Sequence, residues 1–294
     1  MKVAIIVLNY NGYQNTIDCV ASLKKIKGKN KVEIIVVDNA SIDESRKNLP
    51  NLKGIKLILN DKNLGYSGGN NVGIKYALEN NFDAALILNN DTYTDQNLIT
   101  NLVNATKEAE IVCPKIYFAP GYEFHKSRYA KKDIGKVIWY AGGHIDWDNI
   151  LGVHDGVDEV DNGQFQKTRE IDMATGAALF VKSEVFKKIG MFDEKYFLYL
   201  EDMDFCVRAK KSCFKIIFEP SAILWHKNAG SSSSGSPLQD YYITRNRLLF
   251  AAKYARLRTK FALLRQIITK IKEPIKRKAL FDFLMLKFGK GYQE

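Results

Sequence analysis

The chain has 294 residues, 46% of them hydrophobic and 12% aromatic, enough to bury a full core in one large domain or one domain plus an extension. No apolar run approaches the roughly 18 residues of a membrane-spanning helix, and the N-terminal MKVAIIVLNYNG lacks a cleavage-site pattern, so it reads as a first strand and not a signal peptide. The net charge is +11, and it is uneven: residues 251–294 carry 12 Lys and Arg against 3 Asp and Glu, so nine of the eleven excess positive charges lie there.

A basic tail of this kind suits an anionic membrane surface or nucleic acid. Nucleic acid is disfavoured, because the charge lies at one end and nothing resembles a reading module. Four scattered cysteines (Cys19, Cys113, Cys206 and Cys213) form no CxxC pair, which predicts reduced thiols in a cytoplasmic protein.

In chain order, VAIIVLN (3–9) reads as a buried strand, followed by a helix over 13–27 with Ile17, Val20, Leu23 and Ile26 at helical spacing. EIIVVDN (33–39) and IKLILN (55–60) are the second and third strands. NLGYSGGNN (63–71) reads as a glycine-rich loop that leads into a helix through Tyr76 and Ala77, and AALILNND (84–91) gives a fourth strand. Short apolar runs separated by helices predict a mostly parallel sheet with helices on both faces, and such sheets bind ligands beyond the carboxyl ends of their strands. Residues 115–170, rich in Gly, Asp, His and aromatics, predict weak strands or long loops. Order returns with a strand through 177–181 and a helix, then a loop and helix over 191–212, two short strands within 215–228, a flexible loop over 230–236, and helix from 238 to about 270. No internal repeat is present.

The strand ends gather polar residues: Asn9-Tyr10-Asn11, Asp38-Asn39-Ala40-Ser41, Asn60, and Asn89-Asn90-Asp91. One such ending is a turn; four on the same sheet edge predict a binding site. Asp38 suits the imide N–H of a uracil or thymine ring, or else a helix cap. Gly65, Gly68 and Gly69 suit close backbone approach to a phosphate or sugar, or else a flexible connection. Asp91 is the metal candidate of the first half, because Mg²⁺ or Mn²⁺ on a carboxylate neutralises a diphosphate leaving group. His226 either completes that metal site or is structural. Glu201, Asp202 and Asp204 sit together among apolar residues, where burial and like charge raise a carboxylate pKa towards that of a general base; the same acids also suit a helix N-terminus. In the tail, Leu257, Phe261, Leu264, Ile268 and Ile271 fall at helical spacing among Lys and Arg, as in a helix lying on an anionic bilayer or one packed on the core.

The ordered set VLNYNG, VVDNASIDES, NLGYSGGNNVGI, LILNNDT, ATGAALFVKSEVFKKIGMFDEKYFLYLEDMDFCVR, WHKNAGSS and YYITRNRL, spanning roughly residues 2–250, resembles the family 2 glycosyltransferases with the GT-A fold, particularly their rhamnosyltransferase-like branch. The resemblance implies an α/β, Rossmann-like GT-A domain over 1–250, with a nucleotide-binding half (1–112) and an acceptor and catalytic half (113–250), followed by a basic helical extension over 251–294. It implies inverting transfer of a sugar from a dTDP-rhamnose or UDP-hexose donor to a glycan or lipid-linked glycan, in cell-surface polysaccharide synthesis. By that likeness Asn9, Asn11, Asp38, Asn39, Gly65, Asn70, Asn90 and Asp91 serve the nucleotide, and Thr175 and Gly176 border the acceptor. Asp91 and His226 hold Mn²⁺ or Mg²⁺, and Asp202, beside Glu201, is the catalytic base. The family's DxD motif reads Asn89-Asn90-Asp91 here, so its first acid is missing. The tail places the protein at the inner face of the plasma membrane, and a homodimer is compatible with the sequence.

Two rival classes remain. A sugar-nucleotide-binding protein without turnover finds support in the missing acid. A dinucleotide-dependent oxidoreductase needs GxGxxG directly after strand one, where this chain has NYNGYQN.

Overall fold

The computed structural model describes residues 1–125, 127–228 and 235–292. β1 (Lys2–Asn9), α1 (Tyr13–Leu23), β2 (Lys31–Asp38), α2 (Ser45–Asn48), β3 (Lys56–Leu59), α3 (Gly65–Glu79) and β4 (Ala84–Asn89) build the first half. Their strands run parallel in the order β4-β1-β2-β3. Val3–Val7 and Ala84–Leu88 are at most 1% exposed. Both faces of these strands are covered, so the apolar runs are continuous and not alternating.

β5 (Thr92–Thr94), α4 (Leu98–Ala105), β6 (Ile111–Phe118), β7 (Ile138–Tyr140), β8 (Gly143–Asp146), β9 (Leu151–His154) and β10 (Arg169–Glu170) follow, then β11 (Ala178–Lys182), α5 (Ser183–Ile189), α6 (Glu201–Lys211) and β12 (Ile216–His226). β11 runs antiparallel between β4 and β6, and β12 lies parallel to β6 beyond it. The central sheet is therefore mixed: four parallel strands lie on one side of β11, and on the other the parallel pair β6–β12 carries antiparallel β5, β7 and β10; β8 and β9 form a separate hairpin.

Several expectations change. The glycine-rich stretch is not a loop: Gly65 opens α3, and Gly68 and Gly69 lie inside it. A Cβ on Gly69 would stand 2.5 Å from Leu8 Cδ1, and one on Gly73 2.5 Å from Ile6 Cγ2, so these glycines let the helix axis approach β1. Residues 215–228 hold one strand and not two; its register shifts between Glu219 and Ile223, around Pro220, which cannot donate to the ladder. Helix α1 stops at Leu23, short of residue 27. The flexible loop expected over 230–236 falls mostly outside the described residues.

α7 (Pro237–Tyr254), α8 (Leu257–Thr269) and α9 (Pro274–Leu284) complete the chain. The expected division at residue 250 falls inside α7. α8 buries Leu263 and Ile267 and leaves Leu257, Phe261 and Ile268 exposed; α9 and its end expose Phe281, Leu284, Met285 and Leu286. Among the described residues no helix is long and apolar enough to cross a membrane. All four cysteines are unpaired.

Candidate active site

The tip of β4 is where the two halves of the sheet meet. Antiparallel pairing of β11 with β4, together with the Asn89 N–H donating to the Ala177 carbonyl (3.0 Å), sets Thr175-Gly176 beside Asn89-Asn90-Asp91. β5 pairs with the end of β12, His226 opposite Thr92, and so brings His226 to Asp91. The His226 Nε2 lies 2.9 Å from Asp91 Oδ1, with both side chains nearly sealed. The other imidazole nitrogen, Nδ1, is buried without a partner, and the ring stands edge-on to Trp139 at 4.6 Å between centroids. The Asp91 carbonyl accepts from the Lys227 N–H (2.9 Å), which fixes the turn after β4.

From the opposite side α6 points its N-terminus at the same space. Asp202 is half-buried; its Oδ2 accepts the Gly176 N–H at 2.9 Å and its Oδ1 the Met203 N–H at 2.8 Å. Burial raises its pKa above the usual aspartate value, with those backbone donors opposing the rise. Glu201 is almost fully enclosed, 4% exposed, with Oε2 lacking any partner. Burial and then the Asp202 charge push its pKa well up. Asp204, the third acid, does something else: it pairs with Arg208 (2.7 Å) and Lys253, accepts the Tyr254 hydroxyl (2.7 Å), and titrates below the ordinary value despite its burial. It is a brace between α6 and α7.

Tyr66, which the sequence did not single out, ties these groups together. Its hydroxyl donates to the Gly176 carbonyl at 2.5 Å. Burial, and then the charges of Glu201, Asp202 and Asp91, hold its pKa well above the phenol range. The Asn89 N–H bonds Ala177 while the Gly176 N–H bonds Asp202, so residues 175–177 join the β4 tip to the α6 N-terminus. Asn70, buried on the next turn of α3, donates to the Tyr66 carbonyl (2.9 Å) and leaves its Oδ1 unpartnered.

The strand tips further along behave differently. Asn9 Nδ2 donates to Asp38 Oδ1 (2.8 Å) and Ser41 Oγ (3.1 Å), while its Oδ1 accepts Thr16 (2.8 Å) and Asn90 (3.3 Å). Asp38 Oδ2 takes the Ser41 N–H (3.2 Å), and its side chain has no exposed surface, so a base can meet it only where the Asn9 and Ser41 contacts give way. Asn39 holds Asn63, the Gly65 carbonyl, Asn60 and the Leu64 N–H, fixing the entry to α3. The surface at this edge is Tyr10, Asn11 and Ile42; Asn11 Oδ1 accepts the Ile42 N–H (2.8 Å). The phosphate-cradle option for the glycines fails on geometry: the Tyr66 and Ser67 N–H groups both donate to the Phe197 carbonyl, at 2.6 and 3.2 Å, and Gly65 N–H to Asn63 (2.8 Å).

Three residues leading into α6 stand in the left-handed region, Phe197 (φ 64°), Tyr199 (φ 70°) and Leu200 (φ 69°). Each costs about 1–3 kcal/mol for a side-chain-bearing residue, so the surroundings must hold them there.

Parallel β-α units joined to a second, mixed half, with carboxylates and a histidine at the strand tips, define a GT-A glycosyltransferase. Two solved structures share this architecture: GalNAc-T7 with UDP, GalNAc and Mn²⁺ (TM-score 0.59, 16% identity, 84% of this chain and 51% of that one), and S. aureus TarS 1–349 in complex with UDP-GlcNAc (TM-score 0.56, 17% identity, 97% and 72%). The glycosyl transferase family 2 model matches residues 4–190, and the chain belongs to that family. Curated relatives include the low-salt glycan biosynthesis hexosyltransferase Agl10 of Haloferax volcanii, 26% identical over 216 residues, 72% of this chain and 63% of that protein's length. They also include the dTDP-rhamnosyl transferase RfbF of Shigella flexneri, 22% identical over 258 residues, 84% of this chain and 79% of that one. An N-acetylglucosaminyl-diphospho-decaprenol L-rhamnosyltransferase of Mycobacterium tuberculosis is 36% identical over 64 residues, 22% of this chain and 21% of that one. Two of these three relatives are rhamnosyltransferases by name.

Proposed function

We propose that this glycosyltransferase moves a sugar, with inversion at the anomeric carbon, from dTDP-rhamnose or a UDP-hexose to a hydroxyl of a glycan or lipid-linked glycan during cell-surface polysaccharide synthesis. The observation that carries the reading is Asp202: a half-buried carboxylate, aimed by two backbone N–H groups and of raised pKa, bonded through Gly176 to the segment that pairs with the β4 tip. Asp202 takes the proton of the acceptor hydroxyl; the oxygen bonds to the anomeric carbon as the bond to the diphosphate breaks, and the nucleotide diphosphate leaves. One base suffices, because a single displacement forms no covalent enzyme intermediate. Glu201 stands beside that base, enclosed, with its pKa pushed up first by burial and then by the Asp202 charge. Thr175 and Gly176 border the acceptor, and Tyr66 fixes Gly176.

The Asp91 carboxylate and the His226 Nε2, 2.9 Å apart, are a donor pair that suits Mn²⁺ or Mg²⁺ completed by phosphate oxygens and water. Asp91 and His226 would hold the ion, which when bound supplies positive charge for the leaving diphosphate. Asn11 and Tyr10 meet the base on a frame set by Asn9, Asp38 and Asn39. The exposed apolar side chains of α8 and α9, among basic residues, rest on an anionic bilayer surface that presents the acceptor.

The test is a donor screen: purified protein, Mn²⁺ or Mg²⁺, and a panel of UDP-, dTDP- and GDP-sugars, read as nucleotide diphosphate release. Release from one donor, lost in Asp91→Ala and without metal, is the expected result. Tight nucleotide binding with no release, even when lipid-linked acceptor is supplied, would instead favour a binding protein.

A further inference from the structure

α7 carries two polar side chains with no exposed surface, Arg245 and Asn246, and no chemistry described so far uses them. Both turn to the strained segment before the catalytic acids. Asn246 Nδ2 donates to three carbonyls, Tyr196 (2.9 Å), Leu198 (2.8 Å) and Tyr199 (2.9 Å). Arg245 Nη2 donates to Lys195 (3.1 Å) and Tyr196 (3.0 Å), and the same guanidinium holds the Asn246 Oδ1 at 3.0 Å, which fixes which way the amide faces. Tyr242 stacks on Phe197 at 5.2 Å and 18°. The left-handed residues Phe197, Tyr199 and Leu200 occupy this same short stretch, whose carbonyls collect on one amide and one guanidinium. Their conformation is unfavourable on its own and persists because the converging donors leave no other arrangement in which these buried carbonyls are paired.

The same segment controls both walls of the site. The Phe197 carbonyl caps α3 through the Tyr66 and Ser67 N–H groups, and Leu200 is the residue that launches Glu201 and Asp202. The far end of the guanidinium, Nη1, donates to the Gly289 carbonyl (2.7 Å), and the Gly289 N–H returns to the Lys195 carbonyl (2.9 Å). The C-terminal extension thereby closes around the fork.

We propose that Arg245 and Asn246 are positioning residues for the transfer reaction: they hold residues 195–200 in the strained path that aims Asp202 at the acceptor hydroxyl. The proposal rests on the transferase reading above. Its test is Asn246→Asp, nearly isosteric but without the three donations, alongside Arg245→Lys, which keeps the charge and loses the fork. Each variant is compared with wild type in turnover, in nucleotide affinity by titration, and in melting temperature. The expected result is a kcat lower by roughly 30- to 100-fold, with the dissociation constant for UDP or dTDP within about 2-fold and a cooperative melt retained. A kcat within about 3-fold of wild type in a folded variant would overturn it. So would equal losses in kcat and nucleotide affinity, or failure of both variants to fold, since the pair would then serve the fold alone. Wild-type protein that turns over no donor would sink the transferase reading separately. Amide hydrogen exchange then decides: faster exchange confined to 196–204 in Asn246→Asp upholds the latch, and a uniform change across the sheet refutes it.

Discussion

The tips of β1 and β2 and the space between β4 and α6 are both polar ends of buried elements, yet they differ in one respect. At β1 and β2, Asn9, Asp38 and Asn39 spend their hydrogen-bonding capacity on each other and on nearby backbone. Between β4 and α6, Asn70 Oδ1, Glu201 Oε2 and His226 Nδ1 are buried and lack partners. Buried polar atoms are nearly always satisfied, so a cluster of exceptions marks where something else belongs. The first region is a frame that fixes strand-tip geometry, and the second is where the proposed transfer would take place. The comparison teaches that a run of Asn and Asp at a sheet edge does not by itself separate scaffold from chemistry, whereas their partners do.

Substitutions should divide along that line. Asp202→Asn, which keeps shape and loses basicity, should lower kcat by about 10³-fold with nucleotide affinity and melting temperature unchanged, by steady-state kinetics and titration. A smaller loss would return Asp202 to the frame. Asp204→Ala should do the reverse, costing about 3 kcal/mol in chemical denaturation by leaving Arg208 and Lys253 without their shared carboxylate. Its folded pKa is lowered, so the stability it contributes is full above the ordinary aspartate value and is lost as pH falls through that value and below. Asn9→Ala should cost about 2 kcal/mol by the same assay, because it strips a donor from the buried Asp38. The pH profile gives a finer test: Asp202 must be ionised to accept a proton, so kcat should rise with pH through a limb lying above the usual aspartate value, and that limb should vanish in Asp202→Asn. Deleting residues 257–294 should release the protein from anionic vesicles in a flotation assay, while unchanged binding would rule out the helical extension as the docking face.

Much of this was readable in the chain. β1, β2 and β4 appear as continuous apolar runs because both their faces are covered, and the clustering of polar residues at their ends follows from parallel strand direction alone. The distance between Asp91 and His226 was not readable, because it depends on β5 pairing with a strand more than a hundred residues away. The short strands between 138 and 170 are two to four residues long and draw their order from partners, so periodicity had nothing to register. The glycines of α3 misled because close packing on Leu8 and Ile6 and close approach to a phosphate ask for the same missing side chain. α9 lies within the helical extension expected over 251–294, although the helical pattern traced along the chain stopped near 270; Pro274 occupies its first turn. Asp204 is set apart from Asp202 by Arg208 one turn along the same helix and by Lys253 and Tyr254 on another.

The Gly289 carbonyl adds a consequence for the order in which the molecule matures. Arg245 reaches 50 residues back to Lys195 and 44 residues forward to Gly289, so the fork closes only when both remote segments have arrived. Such long closures come late in folding. Arg245 and Asn246 can meet residues 195–199 without the extension, and only the Gly289 contact waits for it. The sheet and the strand-tip frame would then settle before the path of residues 195–200 is locked from both sides.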